Sequence, residues 1–212
     1  IKVSGTGGAA ALDINQNGST VGPGSIIIAS NGTLTGGIKA TNTSVGKVDI
    51  DVTGDVTSTG NAIFVSNSAG TTTDIKTNKI SGSYGVHVTH NGTGDVTVTT
   101  RDVVTATNTG IYVLNATPTT GGKTIITAQA DINAANTGID AANTGKGTTG
   151  LEINATNITT TAPSASGVNN VGIPAMNMGV RDEKITVTGL PTATGDGINA
   201  QNFGQTSPTG VV

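Results

Sequence analysis

Asp49, Asp51 and Asp74 are the residues of this chain best placed to do chemistry. Asp49 and Asp51 flank Ile50 in "VDIDV", and in an extended segment such i, i+2 neighbours share one face, roughly 6 to 7 Å apart. If Ile50 lies over Ile75 of "TDIKT", Asp74 stands beside Asp49 and Lys76 beside Asp51. Close carboxylates can divide proton duties in glycosidic cleavage or hold a hard cation. The competing account, which the adjacent lysine favours, is a solvated and partly paired face. His87 and His90 lie three apart, so on a strand they face opposite sides and do not share a metal. No GxSxG elbow occurs, and no serine, histidine and aspartate converge on one another in the sequence. With no cysteine, thiolate ligands, disulfides and a cysteine nucleophile are excluded. Neither a metal nor a cofactor is expected, and the chain reads as non-enzymatic.

The elements that must position these residues are β-strands. Ile 20, Val 20, Thr 40, Gly 32 and Asn 20, against Leu 5, mix strand formers with turn formers and are poor in helix formers. Leu, Ile, Val and Phe make up about 22% of the chain and the net charge is −3, just outside the range in which chains stay disordered. No apolar run approaches the roughly 18 residues of a membrane-spanning helix. The ten Lys and Arg residues are scattered, which leaves no basic stripe for nucleic acid. The chain opens at Ile1 and is expected to be a piece of a longer exported protein, with any signal or anchor outside it.

A repeat organises the whole chain. "ALDINQN" (11), "GIKATN" (37), "AIFVSN" (62), "GVHVTHN" (85), "GIYVLN" (110), "GIDAAN" (138), "GIPAMN" (172) and "GINAQN" (197) recur at intervals of 26, 25, 23, 25, 28, 34 and 25. A second alternating segment precedes most copies, as in "SIII" at 25, "VDIDV" at 48 and "ITVT" at 185, and a third apolar position lies between the two, from Leu34 to Leu190. A unit of about 25 residues with three short strands cannot bury its own apolar face, but stacked units can. The expectation is an all-β, right-handed parallel β-helix of about eight coils, a single segment over 1–212 with an irregular insertion at about 161–184. Within that insertion "GVNN" at 167 competes with "GIPAMN" for the strand position.

Alternation assigns the faces. In "GIYVLN", Ile111 and Val113 point in while Tyr112 and Leu114 point out, and the same phase buries Val86, Val88, Ile63, Val65, Ile139 and Ala141. The leading glycines (37, 85, 110, 138, 172, 197) suit a turn with positive φ or a close backbone approach, although Ala11 and Ala62 stand in the same place. Asn42, Asn67, Asn115, Asn143, Asn177 and Asn202 close the motif, with Asn17 and Asn91 displaced by one. Stacked, they would form an amide ladder along the rod.

Lines such as "GDVTSTGNAIFVSNSAG" (54 to 70) and "GDGINAQNFG" (195 to 204), with the absent cysteine and the Gly, Thr and Asn bias, resemble the passenger domains of bacterial type V autotransporters and related β-helical adhesins. The resemblance covers nearly the whole chain and consists of repeat grammar. It implies export to the cell surface, a β-helical stalk and a C-terminal membrane barrel that this chain does not contain.

The function expected from this is adhesion or aggregation by a stalk segment, with a host surface protein, a glycan or a second copy as partner. The alternative is a polysaccharide lyase or hydrolase using Asp49, Asp51 and Asp74. Contact is expected at the outward pair Tyr112 and Leu114, and at Met176, Met178 and Arg181 of the irregular segment, since solenoid insertions form loops on one face. A sugar-stacking platform is not expected, because Phe64, Tyr84, Tyr112 and Phe203 do not fall in one column. An ice-binding threonine face is not expected either, since Thr97 and Thr99 give way to Asp49 and Asp51 in another coil.

Overall fold

The computed structural model describes residues 2–3, 12–17, 24–116, 122–145, 150–162, 171–179, 181–189 and 191–203, and all regular structure among them is β-strand. One sheet stacks Lys2–Val3, Ile26–Ser30, Val48–Val52, Thr73–Thr77, Val96–Thr100, Thr124–Ala128, Leu151–Ala155 and Glu183–Val187. A second stacks Leu12–Gln16, Ile38–Asn42, Asn61–Asn67, Ile80–His90, Val104–Asn115, Thr137–Asn143, Ile173–Asn177 and Ile198–Asn202. The third face is built from Leu34–Thr35, Val56–Thr57, the first residues of Ile80–His90 and Val104–Asn115, then Ile132–Ala134 and Ile158–Thr160. All pairings are parallel, so the chain is a parallel β-helix with three strands per coil. Eight motif copies bound seven intervals, so the structure makes about seven full turns, against the eight coils expected. At about 4.8 Å per step the stack is about 34 Å long.

Alternation places the core as expected. Ile28, Ile50, Ile75, Val98, Ile126 and Ile153 lie over one another in the first sheet, and Ile38, Ile63, Val86, Ile111 and Ile139 do so in the second. These side chains are 0–2% exposed, and each contributes roughly 1.5–3 kcal/mol by leaving water. On the third face the inward residue is Val104, which pairs with Ile80 and Ile132. Leu190 and Ala11 lie outside the described residues, as do Pro163 and "GVNN" at 167. "GIPAMN" takes the strand position, since Ala175 pairs with Ala141 and Ala200.

The leading glycines are needed chiefly for close approach. Gly37 alone among them has a positive φ, +85°. A Cβ on Gly110 would lie 2.5 Å from the Gly138 carbonyl oxygen and 2.4 Å from Ile132 Cγ2, because here one coil passes directly over the next.

The asparagine column differs from the ladder expected. Asn42 donates to Asn67 Oδ1 at 3.0 Å, but the other amide bonds mostly fold the turn that follows. Asn177 accepts from Gly179 N–H and donates to Arg181 C=O, and Asn143 donates to Gly150 C=O. The asparagines therefore act mainly as turn staples, buried to 0% exposure at 42, 67, 115, 143 and 177. The displaced members are replaced by other residues: Gln16 pairs with Asn42, and His90 pairs with Asn67 and Asn115. The phase explains this, since His90 is an even number of residues from inward Val86 and Val88, whereas Asn91 is out of step.

The last coil is the least buried. Ile185 pairs with Ile153, which brings Glu183 to the inward position above Leu151. Its Oε1 is buried without a partner, and burial raises its carboxyl pKa above the ordinary value. A charged group in that position opposes folding at neutral pH. Glu183→Leu is expected to raise stability at pH 7 by about 1 kcal/mol, measured by denaturant titration.

Candidate functional site

The outer face of the second sheet carries two columns of side chains. Cross-strand register aligns Asp13, Lys39, Phe64, His87, Tyr112 and Asp140 in the first. The second runs through Ser66, Thr89, Leu114, Ala142, Met176 and Gln201. Tyr84, three residues before His87 on the same strand, turns its ring into the first column. Its centroid is 5.0 Å from that of His87 and 6.4 Å from that of Tyr112, while His87 is 5.2 Å from Phe64 and 4.7 Å from Tyr112.

As expected, the four Phe and Tyr residues do not all fall in one column, but three of them gather. Three of the chain's four Phe and Tyr residues meet on one face with His87, and only Phe203 stands apart. The signal was present at the third position of successive motifs, "AIFVSN", "GVHVTHN" and "GIYVLN". The rings do not form a flat platform, because neighbouring planes are inclined by 48° to 85°. Phe64 with His87 and Tyr84 with Tyr112 pack edge to face, an arrangement preferred by ring quadrupoles, while His87 is tilted against both tyrosines.

Packing also sets the electrostatics. Tyr112 and Leu114 point outward as expected but are only partly exposed, since their neighbours in adjacent coils cover their flanks. Burial lowers the pKa of His87, whose Nδ1 is enclosed without a partner, so the ring is neutral at pH 7. Burial raises the Asp140 carboxyl. The Tyr112 hydroxyl is raised by burial first, then by Asp140 and Tyr84. The aromatic stretch thus has a low charge density between Lys39, paired to Asp13 at 3.0 Å, and Asp140.

Two depressions adjoin the stripe. A groove of about 560 Å³ runs beside Phe64, lined by Lys39, Gly36, Gly37, Ser58 and Asn61 among others. A shallower one of about 190 Å³ lies among Asp140, Pro174, Met176, Asn199 and Gln201. Met176 therefore shares the face of Tyr112 and Leu114. Met178 is 37% exposed, beyond the strand end. Arg181 lines a separate charged groove with Asp95, Lys123, Glu152, Asp182 and Lys184, so the structure does not bring it to the aromatic face.

The acidic cluster assembles in the register expected, with Asp49 beside Asp74 and Asp51 beside Lys76. Each carboxylate also has a cation. Lys47 Nζ is 2.7 Å from Asp49, Arg101 is 2.9 Å from Asp51, and Lys76 pairs with Asp74. The hydrogen bond to Asp74 raises the Lys76 pKa. Among the described residues no group of three His, Cys, Asp or Glu is arranged to hold a metal ion. His87 and His90 face opposite sides, the first into the aromatic stripe and the second into the core. The outer threonines of the first sheet, Thr97 and Thr99, lie beside Asp74 and Lys76, so no continuous threonine lattice forms there.

Compared with family models, with curated proteins and with solved structures, the chain matches none of them.

Proposed function

We propose that this chain is a non-enzymatic binding segment of a bacterial cell-surface stalk, of the adhesive kind its repeat grammar resembles. The partner is a host surface protein or a glycan, engaged along the second sheet's outer face. The observation that carries the reading is the convergence of Phe64, Tyr84, His87 and Tyr112 on one face of an otherwise aromatic-poor rod. Rigid aromatics supply a large contact area at a small entropic cost, and such groups concentrate binding energy. Leu114 and Met176 extend the same surface without adding charge.

The alternative, a polysaccharide-acting enzyme, rests on the adjacency of Asp49 and Asp74. Against it stand the ion pairs that occupy all three carboxylates. Retention on host-cell surfaces and on immobilised glycans separates the two readings. The double variant Phe64→Ser, Tyr112→Ser is expected to bind at least about tenfold more weakly, equivalent to about 1.4 kcal/mol. The triple variant Asp49→Asn, Asp51→Asn, Asp74→Asn is expected to bind as the parent does, and neither protein is expected to cleave uronic-acid polymers. Undiminished retention by the aromatic variant would sink the proposal. So would polymer cleavage that the aspartate variant abolishes.

A further inference from the structure

On the outward faces of the two long sheets, the carboxylates of Asp13, Asp49, Asp51, Asp74 and Glu152 each have a basic partner. Asp140 is the exception. It stands half-buried beside Tyr112 in the first column of the second sheet's outer face. Among the described residues it has neither an ion pair nor a hydrogen bond. Taking a carboxylate out of water without a counter-charge is costly, and burial accordingly raises its pKa. A cation arriving from outside the chain would offset that cost.

The neighbouring residues leave room for one. Ala142 is two residues further along the strand and therefore on the same face, roughly 6 to 7 Å from Asp140. In the second column it lies between Leu114 and Met176, and its short side chain opens a notch between those longer ones. Pro174 adds an apolar wall, since it precedes Ala175 as Asp140 precedes Ala141. The result is the shallow groove of about 190 Å³ among Asp140, Ala142, Pro174 and Met176, apolar along its length and negative at one end.

We propose that this groove takes a lysine side chain of a protein partner, its stem laid over Ala142 and its ammonium on Asp140. The inference rests on reading this face as the binding surface, and it names the partner's chemistry. Lysine buries its methylenes along apolar surface while its charged head stays at a polar end, and its four-carbon stem covers the span from Ala142 to Asp140. The Tyr112 ring beside Asp140 adds an aromatic group that attracts cations. A single carboxylate suits a compact ammonium, whereas a guanidinium fork is best met by acceptors on both of its edges. A neutral sugar supplies no counter-charge, and an acidic one is repelled.

Titration of the isotope-labelled whole chain with Nα-acetyl-lysine N-methylamide, followed by amide chemical shifts, tests it. Saturable shifts are expected at Tyr112, Asp140, Ala142 and Met176. Asp140→Asn is expected to weaken binding about fivefold, the upper end for a partly exposed ion pair, and Ala142→Leu to weaken it at least as much by filling the notch. Both positions face outward and are only partly buried, so the rest of each variant's spectrum is expected to match the parent's. The norleucine analogue, which keeps the stem but lacks the charge, is expected to leave these amides unmoved. Absence of saturable shifts at these residues would overturn the proposal, as would equal shifts from the norleucine analogue or from N-acetylglucosamine. Tighter binding of the arginine analogue would overturn the choice of lysine. The titration involves neither Phe64 nor a host cell, so its failure and a failure of the aromatic variant's retention test are read separately.

Discussion

Gly138→Ala is expected to destabilise the rod by about 3 kcal/mol, or to prevent folding, although it adds a single methyl group. The added Cβ would lie 2.2 Å from Ile158 Cγ2 and 2.6 Å from the Gly172 carbonyl oxygen. One of those atoms is backbone, so relief requires a shift of the coil itself. Close-packed interiors tolerate such shifts poorly, and the neighbouring coil is held by the Ile139 N–H to Gly172 C=O hydrogen bond at 2.9 Å. Gly60→Ala is the matched control. Its Cβ would meet only Ser58 Oγ, at 3.9 Å, so it is expected to be neutral or to stabilise by up to about 1 kcal/mol through the unfolded chain. Denaturant titration of both variants checks the pair, and equal losses would show that close approach of coils is not what the glycines serve.

The second large effect is acid lability at His90. Its ring is 0% exposed in the asparagine column, with Nδ1 3.0 Å from Thr73 Oγ1 and Nε2 without a partner. Burial pushes its pKa down to about 4, against a smaller opposing influence from Asp95. A histidine whose folded pKa is depressed takes up its proton more readily when unfolded. Its neutral form is therefore fully tolerated above about pH 6.5 and the stability is lost as pH falls towards 4. By linkage the loss is about 3 kcal/mol between pH 7 and pH 4. Asp140 and Glu183, whose pKa values are raised, respond in the opposite sense on acidification. The comparison that isolates His90 is therefore the parent against His90→Asn, which restores the residue type of the column. The variant is expected to lose about 3 kcal/mol less than the parent over that range. Parallel pH profiles for the two proteins would contradict it.

How much of this could be read from the sequence depends on the range of the interaction. The phase of Ile111 and Val113 follows from two-residue alternation within one strand, and Asp49 finds Asp74 once a single step of the repeat is known. The asparagine spacing points to Asn91 as the member of the column, whereas the alternation of Val86 and Val88 puts His90 there, on the side opposite His87 as expected. The aromatic column is hidden when only Phe and Tyr are considered, since Phe64, Tyr84, Tyr112 and Phe203 form no single column as a set of four. Phe203 belongs to another region, and His87 supplies the ring between Phe64 and Tyr112. The pairing of Arg101 with Asp51 joins residues 50 apart in sequence, across two coils, and depends on side-chain reach that no periodicity encodes. The shapes of the grooves beside Phe64 and Met176 were illegible for the same reason, since they depend on where turns of unequal length leave space.

Because every pairing in the stack is between successive coils, the hydrogen bonds run along the rod's long axis, and each coil touches only its neighbours. Tension between the two ends of the chain therefore loads a coil's contacts as a peel rather than shearing the whole rod at once. A coil that detaches gives up about 4.8 Å of stack and releases about 25 residues, on the order of 80 Å of extended chain. A tether built this way lengthens in discrete steps under load while the coils below the break keep their cores.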